Sequence, residues 1–106
     1  MSSSDATWTF LTNHSHVLIC LSGNSEMRIR DLADAVGITE RAVQRILSDL
    51  EQAGAIANIK EGRRNHYEIN GHLRLRHPVE AHCEIRDILS MVSEGSRGLL
   101  EKAATP

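Results

Sequence analysis

Arg41, Gln44 and Arg45 are interleaved with Val43, Ile46, Leu47 and Leu50, apolar residues that recur at spacings of three and four. If this stretch is a helix, its apolar side chains line one face and the three long polar side chains point away from it. The types matter as much as the spacing. An Arg fork matches the acceptor pair on the guanine edge, a Gln amide matches adenine, and both also bond phosphates. Thr39, Glu40 and Ser48 accompany them. A second cationic set, Lys60, Arg63 and Arg64 with Asn65, surrounds Gly62. Guanidinium groups at a loop tip can reach phosphates or a narrow minor groove. Arg28 and Arg30 could touch the same backbone, with simple surface charge as the alternative. The bland reading of both sets is a solvated face and a soluble loop.

Other chemistry is poorly supplied. His16 and Cys20 lie four apart, and His77, His82, Cys83 and Glu84 cluster in sequence, yet the two cysteines fit no CxxC pattern. No metal and no cofactor are expected. Cys83 beside His82 is not a nucleophile dyad, because neighbouring side chains on a helix diverge by about a quarter turn. No Gly-rich phosphate loop or nucleophile motif is present, so an enzyme is not expected. Trp8 and Phe10 could line a pocket for an unidentified small-molecule effector, the alternative being ordinary core positions.

The elements that must hold these residues follow from pattern. The chain has 106 residues, room for one ordinary domain, and its 41 % hydrophobic and 25 % charged content is that of a folding globular chain. Aromatics at 3 % leave the core to aliphatic residues. Thr7 to Leu21 reads as a first helix, and its run Val17-Leu18-Ile19-Cys20-Leu21 puts apolar side chains on nearly every face. Either this helix is central in the monomer or a second subunit covers one face; in so short a chain the subunit is favoured. Met27 to Arg30 reads as a short strand, Asp31 to Val36 as a second helix ended by Gly37, and Thr39 as the cap of a third helix to about Ala53. Ala55–Lys60 and His66–Asn70 read as a β-hairpin joined by a loop over Glu61–Asn65. Pro78 can start a last helix carrying Ile85, Ile88, Leu89 and Val92 on one stripe. Met1–Ala6 and Gly95–Pro106 are expected to be flexible ends around a domain at 7–94.

Two short helices across a tight Gly turn, followed by a cationic hairpin, make a recognisable constellation. Leu32-Ala33-Asp34-Ala35-Val36-Gly37-Ile38-Thr39-Glu40-Arg41-Ala42-Val43, with the wing signal Gly62-Arg63-Arg64-Asn65, resembles the winged helix-turn-helix regulators grouped with the MarR and ArsR families. The likeness runs from about Arg28 to Asn70. It implies a mainly α fold with a small β wing, double-stranded DNA as partner, residues 39–53 in the major groove and 60–66 on the backbone or minor groove. It also implies a homodimer, for which Trp8, Leu11, Val17, Leu18, Leu21, Ile85, Ile88, Leu89 and Val92 are the candidate contacts. No paired-ligand motif of ArsR-type sensors is visible. The net charge of −2 opposes a polyanion partner, but Arg28 to Arg76 holds nine Arg or Lys against seven Asp or Glu. The alternatives are a winged-helix module that docks a protein, or a metal- or small-molecule-responsive sensor. With no signal peptide or long apolar run, a cytoplasmic location and no membrane partner are expected.

Overall fold

The computed structural model describes residues 7–92. The elements in chain order are α1 (Asn13–Gly23), α2 (Ile29–Val36), α3 (Glu40–Gln52), β1 (Ile56–Glu61), β2 (Arg64–Ile69) and α4 (Ile85–Val92). The architecture is mainly α with one antiparallel hairpin, as the residue pattern implies. The expected flexible ends, 1–6 and 95–106, lie outside the described residues, as does the domain's expected end at 94.

The first helix is central. α1 touches α2, α3, α4 and β2, and Val17, Leu18 and Leu21 are sealed in a core with Leu32, Ala33, Val43, Ile46, Leu47, Leu50, Ala55, Ile56, Tyr67 and Ile85. Its apolar residues face neighbours on several sides, which corrects the reading that a second subunit covers the Val17–Leu21 run. Val17 is 0 % and Leu21 1 % exposed within the single chain, and Leu18 and Ile85 are buried with them. These four side chains are almost wholly covered within the single chain. The helix also starts later than its composition suggests. Thr12, in extended geometry, takes the N-cap and accepts from the Ser15 N–H at 3.3 Å, so residues 7–11 stay outside it. There Trp8 and Phe10 pack only edge to face, their rings 4.9 Å apart. At 66 % and 91 % exposed, they are neither core nor lining of an effector pocket.

Met27–Arg30 forms no strand. Arg28 is the extended N-cap of α2, the Asp31 carboxylate accepts its N–H at 3.4 Å, and Ile29 is drawn into the helix. The turn to α3 is closed by Gly37 at φ +84, whose N–H reaches the Ala33 carbonyl at 2.8 Å. Nothing lies within 4 Å of where a Cβ would stand there, so only backbone conformation disfavours a side chain. Gly37→Ala should therefore cost about 1–2 kcal/mol. Thermal melts would check it, and an unchanged midpoint would contradict the left-handed geometry.

The hairpin is tighter than the five-residue loop read from sequence. Glu61 pairs with Arg64 and Lys60 with Asn65, leaving only Gly62 and Arg63 in the turn. Gly62 takes φ +66 at the first of the two positions, as a two-residue Gly-X hairpin requires. The base of the hairpin is anchored: the Tyr67 N–H donates to the Ser25 carbonyl at 3.0 Å, and Ser25 Oγ meets His66 Nδ1 at 3.1 Å. Pro78 does not begin a helix. Residues 78–83 are turns, and Leu73 and Leu75 pair with Ile85 and Cys83 through backbone hydrogen bonds of 3.0 Å. α4 starts at Ile85, where the Asp87 carboxylate accepts the Glu84 N–H at 2.8 Å.

Candidate nucleic-acid interface

The polar face of α3 is built from its cap outward. Thr39 accepts the Ala42 N–H at 3.0 Å, which satisfies a first-turn donor and fixes the helix phase. Glu40 adds a carboxylate where the helix dipole favours one. With Val43, Ile46, Leu47 and Leu50 buried, the opposite side presents Arg41, Gln44, Arg45 and Ser48, all exposed. Ser48 Oγ accepts from Gln52 Nε2 at 3.1 Å. The packing of α2 on α3, through Leu32 and Ala33, holds this face outward.

The remaining candidates are exposed as well: Arg28 and Arg30 at the start of α2, and Lys60, Arg63, Arg64 and Asn65 on the wing. Arg28, Arg63, Arg64 and Asn65 border one cleft with Glu26, Met27, Ile29 and Tyr67, so the α2 cap and the wing form two sides of a cationic recess. Arg64 is not free within it, since its guanidinium meets Glu26 at 3.5 Å. Both groups are solvated, and such a pair contributes little to stability. Burial raises the Tyr67 phenol above its usual range, with the Glu51 charge adding to the effect. Burial likewise raises the Cys20 thiol, the opposite of what a reactive cysteine needs.

A second groove, of about 830 Å³, runs beside the recognition face. Thr39, Arg41, Ala42, Gln44, Arg45 and Ile46 form its α3 side, and Asn13 and His14 of α1 form the other. His14 Nε2 contacts Asp49 Oδ2 at 2.9 Å. His14 does not stand out in the sequence, because its partner Asp49 on α3 lies 35 positions away and no local pattern links them. Among the described residues no three His, Cys, Asp or Glu side chains converge to hold a metal ion, and no helix is long and apolar enough to cross a membrane.

Residues 11–57 match the winged helix-turn-helix DNA-binding family model. Over this stretch the chain has the winged helix-turn-helix fold and is similar to that DNA-binding family. The match ends at Ala57, so most of the wing is recognised from its hairpin geometry rather than from the family pattern. The winged helix is also similar in fold to the crystal structure of MepR, a transcription regulator of the Staphylococcus aureus multidrug efflux pump MepA. That likeness has a TM-score of 0.52 at 18 % identity, covering 86 % of this chain and 64 % of MepR. The chain thus spans less than two thirds of that regulator's length. No curated protein matches it in sequence.

Proposed function

We propose that the protein is a sequence-specific double-stranded DNA-binding transcriptional regulator and not an enzyme. In this reading α3 enters the major groove with Arg41, Gln44 and Arg45 toward base edges, and Lys60, Arg63, Arg64 and Asn65 of the wing meet backbone or minor groove. Thr39, Glu40 and Ser48 border the groove, and Arg28 and Arg30 flank the backbone. One observation carries it: α3 buries Val43, Ile46, Leu47 and Leu50 while leaving an uninterrupted Arg/Gln face exposed beside a cationic hairpin. A helix about 10–12 Å across fits a major groove of about 12 Å.

Such a regulator acts in the cytoplasm on DNA of pseudo-palindromic form if it is a homodimer. For that contact the side chains with exposed apolar surface are Trp8 and Val92, with part-buried Leu11, Ile88 and Leu89 beside them. The domain would then extend over 7–94.

Binding selection from random duplexes, followed by titration at increasing salt, tests the reading. Enrichment of a defined site and a steep loss of affinity with salt are expected, because each neutralised phosphate adds about 0.9 to the slope of log affinity against log salt. Absence of retention on any duplex at low salt would sink it and favour a protein-docking winged helix, consistent with the net charge of −2.

A further inference from the structure

A helix that fills a major groove leaves the two sugar-phosphate strands to whatever protein surface rises beside it. Next to α3 that surface is the Asn13–His14 end of α1, the far wall of the groove that Arg41, Gln44 and Arg45 also line. Asn13 Oδ1 is taken up by His16 Nδ1 at 3.1 Å. His14 is different: its ring is clamped at one nitrogen by Asp49, and its side chain remains 46 % exposed.

We propose that His14 is a DNA-phosphate contact that forms on protonation, with Asp49 as the group that positions the ring. When the ring is neutral and Nε2 donates to the Asp49 carboxylate, Nδ1 carries only a lone pair and repels a phosphate oxygen. When a proton is added, Nδ1–H becomes a second donor, and the imidazolium lies between two anions, Asp49 and the phosphate. Binding to the neutral form therefore takes up one proton from solution onto Nδ1, and by linkage affinity rises as the solution is made more acidic. Several charged groups share the surroundings of His14. Asp49, Arg41 and Arg45 stand on α3, and Arg74, Arg76 and Glu80 border a neighbouring groove that His14 also lines. The arginines attract the same phosphate strand at every pH. The carboxylate of Asp49 opposes it whenever His14 is neutral.

This inference rests on the DNA-binding reading above, so its test carries a variant that separates the two. Affinity for the selected duplex is measured by fluorescence anisotropy at about pH 6 and about pH 8 for the wild type, His14→Gln, Asp49→Asn and Arg45→Ala. The wild type is expected to bind roughly threefold to tenfold tighter at the lower pH, with His14→Gln removing most of that ratio. Asp49→Asn should bind at least as tightly as the wild type at the higher pH, because a negative charge beside the phosphate is gone, and should show a smaller ratio. At the lower pH the salt slope of His14→Gln should fall by about one unit. If Arg45→Ala weakens binding while His14→Gln keeps the wild-type pH ratio and salt slope, the inference about His14 is overturned and the DNA reading stands. If none of the three variants changes binding, both fail.

Discussion

Leu21→Ala is expected to lower the unfolding free energy by about 2–5 kcal/mol, the range for truncating a fully buried leucine. Leu21 is 1 % exposed on the helix that every other helix and the second strand touch, and the space it leaves has walls contributed by separate elements that cannot all close on it. Urea titration followed by circular dichroism would measure the loss, and the midpoint should not move with protein concentration. A side chain in a subunit contact behaves otherwise: its removal produces folded, dissociated chains and a midpoint that shifts with concentration. A loss under about 1 kcal/mol, or one that appears only on dilution, would return the Val17–Leu21 run to an interface.

Arg45→Ala should cost about 1–3 kcal/mol of binding to the selected site and relax the preference at one base position, if that guanidinium reads a base edge. Arg63→Ala, at the second position of the wing turn, should instead weaken all duplexes alike and reduce the salt slope by about one unit. The contrast is informative because the two residues are both exposed arginines and differ only in the element that carries them. Competition binding with single-base variants of the site separates the outcomes. Uniform weakening by Arg45→Ala would mean that α3 contributes charge and no sequence discrimination. Unchanged binding by both variants would remove α3 and the wing from the interface.

The third helix was fully legible because its signals agree. Thr39 as cap, Glu40 in the first turn, and Val43, Ile46, Leu47 and Leu50 at three- and four-residue spacing all point to one helix, and Gly37 marks the turn before it. Where local signals are short, the sequence is ambiguous. Met27 to Arg30 offers only four residues to an alternation test, and the Arg28 N–H donating to the Asp31 carboxylate decides for helix. Trp8 and Phe10 are large and apolar, yet the Thr12 cap starts α1 only after them, and they stay largely exposed. Pro78 has the right chemistry for a helix start, but the pairing of Leu73 and Leu75 with Ile85 and Cys83 fixes the chain in turns until residue 85. The wing turn is shorter than its sequence suggests because strand pairing continues through Glu61 and Arg64, which are polar and carry no alternation signal. His14 with Asp49 and Arg64 with Glu26 join residues 35 and 38 positions apart, and no periodicity reports on such contacts.

The clasp between Ser25 and the Tyr67–His66 pair reaches only the lower part of the hairpin. Above it, from Lys60 to Asn65, the support is the solvated Arg64–Glu26 pair, and a two-stranded ribbon so lightly held is marginal in water. In the proposed DNA reading, a stiff pedestal under a compliant fingertip suits a duplex whose groove width varies with sequence: the stem would set where the tip lands, and the tip would conform to what it finds.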